Sequence, residues 1–280
     1  GDFMMQVRPL HPKFGAEIAG VLIRTLDEAG RDRLRAALDQ YGLLLFRDQA
    51  LDDKGLQRFS QLMGTGKLEA SARSISHGTR LREVANLTTL RDADGTPIGF
   101  GGNTTDYWHS DQEFREQPAT LATLYCLMPS PVGGATSFAT TRADRIGVDP
   151  GLLDRLRPLW STRRPAANHD NARHVEVAHP VVTRSPVTGA ESIYVSENAI
   201  RFVGVPESEG AALRSDLLAR ILRPENIYEH DWRMGDLVIY DNSQLVHRRE
   251  AFEGERWLKA TKIFSPPELF APIPGRVEAE

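Results

Sequence analysis

Tyr107-Trp108-His109-Ser110-Asp111 is the stretch that most restricts what this chain can become. Apolar residues flank it, which predicts a strand. Side chains alternate along a strand, so His109 and Asp111 would point the same way. An imidazole and a carboxylate on one face can hold two adjacent corners of a metal ion. Two histidines and one carboxylate with open positions mark a non-haem Fe(II) oxygenase site. A third ligand must then come from far along the chain, so the fold has to bring distant strands together. His247 is the candidate, because it follows an apolar strand at 237–240 and the turn Asp241-Asn242-Ser243. The competing reading of His109 and Asp111 is a surface histidine beside a solvated carboxylate. His179 and His230 are read as structural, and His11, His77, His169 and His174 lie in loops.

The remaining pattern predicts many short strands and a few helices. Residues 26–41 carry Leu34, Leu38 and Tyr41 at helical spacing, and Gly42 stops the helix. Asp52 caps a second helix with Leu56, Phe59 and Met63 on its inner face. Asp149-Pro150 opens a third, and 207–222 form the last. Strands are expected at 43–46, 83–90, 107–111, 119–128, 237–240 and 257–264, with a hairpin over 181–195. Residues 64–78 and 91–105 read as loops, and 161–176 as a polar loop over the site. One mainly β, jelly-roll-like core with helices packed outside accounts for this pattern.

Composition narrows the function. With 40% hydrophobic and 26% charged residues, the chain has an ordinary globular make-up. A net charge of -4 gives no nucleic-acid footprint. No apolar run approaches a membrane span, and no signal-peptide pattern opens the sequence. Cys126 is the single cysteine and lies in an apolar run, so a cytoplasmic setting and a core position are expected. A small-molecule substrate is expected, with no nucleic-acid or membrane partner; homo-oligomerisation stays open.

An Fe(II) oxygenase needs electrons, which 2-oxoglutarate commonly supplies. Its distal carboxylate requires a cation, and a planar guanidinium fits best. Arg256 lies nine residues after His247. A hydroxyl would complete the anchor, and Thr136 follows the Gly133-Gly134 turn.

Together these segments resemble the TauD/TfdA family of Fe(II)/2-oxoglutarate dioxygenases over nearly the whole chain. The segment from Phe14 to Val21 resembles the family's opening hairpin, and Leu45-Phe46-Arg47-Asp48-Gln49 its strand before the second helix. Trp108-His109-Ser110-Asp111 resembles its Trp-His-Thr-Asp. Gly133-Gly134-Ala135-Thr136 resembles its Gly-Gly-x-Thr turn, His179-Pro180-Val181-Val182 its central block, and Asp241-Asn242 to His247 its Asp-Asn-x-x-x-x-His. The resemblance implies a single domain over 4–280 with a double-stranded β-helix. It implies His109, Asp111 and His247 as catalytic iron ligands, Arg256 and Thr136 on 2-oxoglutarate, and O2 as the oxidant. An intact Asp111 speaks against halogenation. The same chemistry could also serve desaturation, cyclisation or C–X cleavage. Outside this class, a zinc hydrolase would use the same ligands without Arg256 and Thr136, and a non-catalytic jelly-roll module would not need the triad.

Two departures concern the substrate. Members that act on taurine carry a second arginine four residues after the cosubstrate arginine, where this chain has Ala260. They also carry a histidine where an ungapped match places Glu69. Taurine is therefore not expected as substrate. Glu113 would share the face of His109 and Asp111 if the strand continued. Glu69 and Glu113 together would suit a cationic substrate, with Thr105 as a further contact in the preceding loop. The alternative is that both glutamates are solvated or pair with arginines such as Arg73 and Arg115.

Overall fold

The computed structural model describes residues 5–64, 67–68, 81, 83–99, 106–164, 175–185, 188–264 and 275–278. Its strands are β1 (Gln6–Pro9), β2 (Ala16–Ala19), β3 (Leu43–Phe46), β4 (Lys67–Leu68), β5 (Ala85–Thr88), β6 (Leu121–Met128), β7 (Val132–Gly133), β8 (Thr136–Thr140) and β9 (Trp160–Arg163). They continue with β10 (Val175–Pro180), β11 (Val182–Arg184), β12 (Glu191–Ile193), β13 (Ile227–His230), β14 (Leu237–Asp241), β15 (Leu245–Arg249), β16 (Phe252–Glu253), β17 (Trp257–Phe264) and β18 (Gly275–Glu278). The helices are α1 (Glu28–Tyr41), α2 (Asp53–Met63), α3 (Pro150–Leu156) and α4 (Glu207–Ile221).

A major sheet runs β1-β2-β3-β14-β6-β17-β4, with β5 also paired to β17. A second sheet, β13-β8-β15, lies across from it. Leu43, Leu45, Leu124, Tyr240, Leu258 and Ala260 from the first meet Phe138 and Leu245 from the second in one buried cluster. The core is thus the double-stranded β-helix that the resemblance implies, in keeping with the jelly-roll-like core expected from the strand pattern.

Period-two alternation explains how thin strands serve two layers. All four residues of β3 are buried. Leu43 and Leu45 face the barrel interior, whereas Leu44 and Phe46 pack on Leu34, Leu38, Leu56 and Phe59 of α1 and α2. On the far side, Ala139 and Val246 turn outward to Leu152, Leu156, Leu217 and Ile221 of α3 and α4.

The helix starts follow the sequence closely. Asp27, Asp52 and Asp149 accept from the amides of Gly30, Gly55 and Leu152 at 2.8, 2.7 and 2.8 Å, satisfying donors that have no partner within the helix. Gly42 ends α1 with φ 76°, where a side chain would be strained. Among the described residues, no helix is long and apolar enough to cross a membrane. Cys126 is buried and unpaired, and burial pushes its thiol up to about 12.

Two expectations need correction. Residues 107–111 form an isolated bridge rather than a strand. Residues 161–163, expected in a loop, belong to β9 and are buried. Residues 165–174 lie outside the described part, as do Glu69 and Thr105.

Candidate active site

His109 and His247 face each other as a hydrogen-bonded antiparallel pair. The amide of His109 donates to the carbonyl of His247 at 3.0 Å, and the reverse bond is 2.9 Å. His247 comes from β15, which holds the side of the barrel opposite the major sheet. Its ring stacks on Phe138 at 5.8 Å and 27°. Asp111 completes the group: Oδ1 lies 3.6 Å from His109 Nε2 and 3.5 Å from His247 Nε2. The ligand atoms of the three residues lie within 4.8 Å of one another. The resemblance implies this set as metal ligands, and among the described residues the structure brings together no other group able to hold an ion.

The segment bearing Asp111 is held from below. Asn242 accepts from the Asp111 amide at 2.8 Å and donates to the carbonyls of Asp111 and Ala119 at 2.8 and 2.7 Å. Asp241 accepts from Ser243 and Gln244, closing the turn that presents Asn242. The Asp-Asn motif therefore acts on the metal loop through its backbone. Gln112 then takes φ 60°, a left-handed conformation that reverses the chain.

That reversal corrects the reading of Glu113. It does not continue a strand beside His109. It returns beneath the loop, where it is 2% exposed. Its Oε2 accepts from the Ser110 amide at 2.6 Å; its Oε1 accepts from Arg163 Nε at 2.8 Å and Ser196 Oγ at 2.6 Å. Both oxygens are engaged inside the fold, so this carboxylate is not turned to a cationic ligand. The partner is Arg163, not Arg115. Arg163 is itself 1% exposed and also donates to Ser161 and the carbonyl of Tyr194. His179 and His230 are structural, as read from sequence. One contacts the Glu113 carbonyl at 2.7 Å, and the other sits between Tyr228 and Asp236.

Imidazole chemistry suits a metal. His109 Nδ1 contacts the Tyr107 carbonyl at 2.9 Å, which turns Nε2 toward Asp111; burial opposes a charge on this imidazole, but the Asp111 carboxylate raises its pKa. Burial lowers the His247 imidazole to about 3, so it is neutral and able to ligate. Asp111 is held well below the usual carboxylate range: burial opposes this, but the Lys262 ammonium, foremost among its neighbours, prevails.

Of the cosubstrate candidates, Arg256 immediately precedes β17 and Thr136 opens β8. Arg256 is 6% exposed and donates to the Gly134 carbonyl at 2.9 Å. Its Nε is buried with no hydrogen-bond acceptor. Burial and the nearby Arg249 lower its pKa to about 10, which still leaves it cationic at neutral pH. A buried guanidinium with an unused donor calls for an anion. Gly134 is needed for the approach: it has φ 82°, and a Cβ there would lie 2.3 Å from Ser130 Oγ and 3.2 Å from Arg256 Nε. Thr136 Oγ1 accepts from Trp232 Nε1 at 2.9 Å. Indole can only donate, so the threonine's own proton remains for another acceptor. These residues fit a bound dicarboxylate. Ala260 lies on the inner face of β17, buried and apolar.

Three contributors escaped the sequence reading. Arg163 was hidden in an apparent loop. Tyr240 donates a very short hydrogen bond to Asp111 Oδ2, and Lys262 Nζ lies 3.1 Å from the same oxygen. The parity of β17 carried the one usable signal, since Lys262 shares the face of Leu258 and Ala260.

The family model described as "Taurine catabolism dioxygenase TauD, TfdA family" matches residues 6–261. The (S)-phenoxypropionate/alpha-ketoglutarate-dioxygenase of Sphingobium herbicidovorans is 29% identical, over 86% of this chain and 88% of that one. The alpha-ketoglutarate-dependent sulfate ester dioxygenase of Pseudomonas putida is 26% identical, over 87% and 83%. Among solved structures, a taurine dioxygenase from Burkholderia xenovorans superposes with a TM-score of 0.80 at 23% identity, covering 99% of this chain and 97% of that one. AAD-2, solved with Mn(II) and N-oxalylglycine, gives 0.78 at 24%, covering 93% and 97%. The fold and the match across almost the whole chain agree, and the protein belongs to the TauD/TfdA family of dioxygenases.

Proposed function

We propose that this protein uses Fe(II), O2 and 2-oxoglutarate to hydroxylate an unactivated C–H bond of a small molecule, releasing succinate and CO2. The observation that carries this reading is the buried Arg256 with its unused Nε, in the same barrel as His109, Asp111 and His247. A hydrolytic metal site would have no use for that cation. When bound, the iron centre with its cosubstrate supplies the oxidising power.

The chain's own residues do the positioning. His109, Asp111 and His247 would hold the metal on one side and leave the other side open. Arg256 would take the distal carboxylate of 2-oxoglutarate, with Thr136 donating the hydroxyl proton that Trp232 leaves free. The apolar interior formed by Phe138, Leu258 and Ala260 keeps water away. Relatives are named for phenoxypropionate and sulfate esters, which supports a small organic substrate.

Replacing Arg256 with Met is expected to weaken apparent 2-oxoglutarate affinity by about 10- to 100-fold, the worth of a lost charge-assisted bond. Arg256→Lys keeps the charge but loses the fork, so it should recover part of this. Succinate formation against 2-oxoglutarate concentration checks both variants. An unchanged KM in Arg256→Met would remove Arg256 from this role.

A further inference from the structure

Thr136 and Arg256 belong to different parts of the barrel, one opening β8 and the other just ahead of β17. A third residue is tied to both. Arg249 ends β15, two residues after His247.

Strand parity sets its direction. Leu245 joins the cluster inside the barrel, whereas Val246 packs outward with α3 and α4. Arg248 follows Val246 to the outside, where its guanidinium lies over Trp108. His247 and Arg249 follow Leu245 to the inner face. Register then sets its neighbour. Arg249 pairs with Thr136, and the next amide, that of Glu250, donates to the Ala135 carbonyl at 2.8 Å. Arg249 and Thr136 therefore form a non-hydrogen-bonded pair, the position where side chains stand closest, with Cβ atoms about 4.5–5.5 Å apart. The tie to Arg256 runs through Phe252. The Arg249 guanidinium lies 4.9 Å from the centre of that ring, and the Arg256 guanidinium 5.6 Å.

We infer that Arg249 is a second cation of the cosubstrate pocket, binding the distal carboxylate of 2-oxoglutarate together with Arg256 and Thr136. This rests on the oxygenase reading above and adds a binding residue to it.

Charge calls for an anion at this place. Arg256 is buried and Arg249 half-buried, so little water screens the repulsion between them. That repulsion is one of the two causes that lower the Arg256 pKa. The hydrogen-bond partner of Arg256 is a neutral carbonyl, that of Gly134. The carboxylate whose charge reaches Arg249 is Asp106, which is exposed, so solvent weakens the attraction. A bound carboxylate would offset both guanidiniums. Its two oxygens offer about four acceptor sites, enough for two arginines and a hydroxyl. Spacing agrees: Arg249 lies two residues from the metal ligand His247, about 7 Å along the strand. A five-carbon diacid chelated to the metal at one end would present its other carboxylate at that range.

The experiment is calorimetry on the whole protein loaded with Mn(II), without O2, using two ligands. One is 2-oxoglutarate, and the other is 2-oxopentanoate, the same keto acid without the distal carboxylate. Arg249→Met should weaken 2-oxoglutarate binding about 10-fold. It should leave 2-oxopentanoate within about twofold of wild type, since that ligand has nothing for Arg249 to hold. Arg249→Lys keeps the charge and should restore part of the 2-oxoglutarate affinity. Arg249→Gln, which keeps a polar side chain at the same position, should show the same split between the two ligands as the methionine variant. With Fe(II) in air, the loss should appear in succinate formation as a raised KM for 2-oxoglutarate at nearly constant kcat. An unchanged 2-oxoglutarate affinity in Arg249→Met would overturn the inference. So would an equal loss for both ligands, which would place the effect in the fold or the metal centre. If wild-type protein binds neither ligand, the oxygenase reading fails and the inference falls with it.

Discussion

Arg163→Met is expected to destabilise the protein by about 3–5 kcal/mol, because it strands a buried carboxylate. Glu113 and Arg163 are 2% and 1% exposed, and their contact is 2.8 Å. With Arg163 gone, Glu113 keeps the Ser110 amide and the Ser196 hydroxyl but loses its counter-charge. Arg163→Met/Glu113→Gln should recover much of the stability, since a neutral amide costs less to bury than an ion. The same change should reach the metal loop, because Ser110 hangs on Glu113 and Asp111 follows it. Thermal unfolding of the three variants measures this. A single variant that melts within about 2 °C of wild type, well below the shift expected for several kcal/mol, would refute the buried-pair account.

Asp111→Asn should abolish metal-dependent succinate formation, lowering it by at least about 100-fold, the upper end of what loss of an outer-shell partner costs. The substitution keeps size and shape but removes the charged ligand atom between the two histidines. Its backbone contacts to Asn242 do not depend on that charge. The folded structure should therefore persist while metal binding is lost, and calorimetry with Mn(II) beside a melting curve separates the two effects. Turnover near the wild-type rate in this variant would rule out Asp111 as a ligand.

Much of this architecture is written locally. The aspartate caps before α1, α2 and α3 and the apolar run of β3 need only near neighbours to be recognised. The His109, Asp111 and His247 set was legible because metal ligation demands particular side chains at particular intervals. What sequence could not supply came from long-range packing. β8 reads Thr-Ser-Phe-Ala-Thr, and its polar residues look exposed until β13 and β15 cover both edges. Residues 161–163 look like a polar loop, yet β10 pairs with them and Glu113 neutralises Arg163. Glu113 itself was misread because Gln112 leaves the strand conformation, and a single positive φ resets the face of everything that follows. Lys262 and Tyr240 meet Asp111 only through the barrel's closure.

The measurement that bears most directly on the central claim is 2-oxoglutarate binding by calorimetry, without O2, to metal-free and Mn(II)-loaded protein. If His109, Asp111 and His247 hold the metal, and Arg256 with Thr136 holds the distal carboxylate, one molecule should bind per chain, and tightly only when the metal is present. Equal affinity with and without metal, or no binding in either state, would contradict the account.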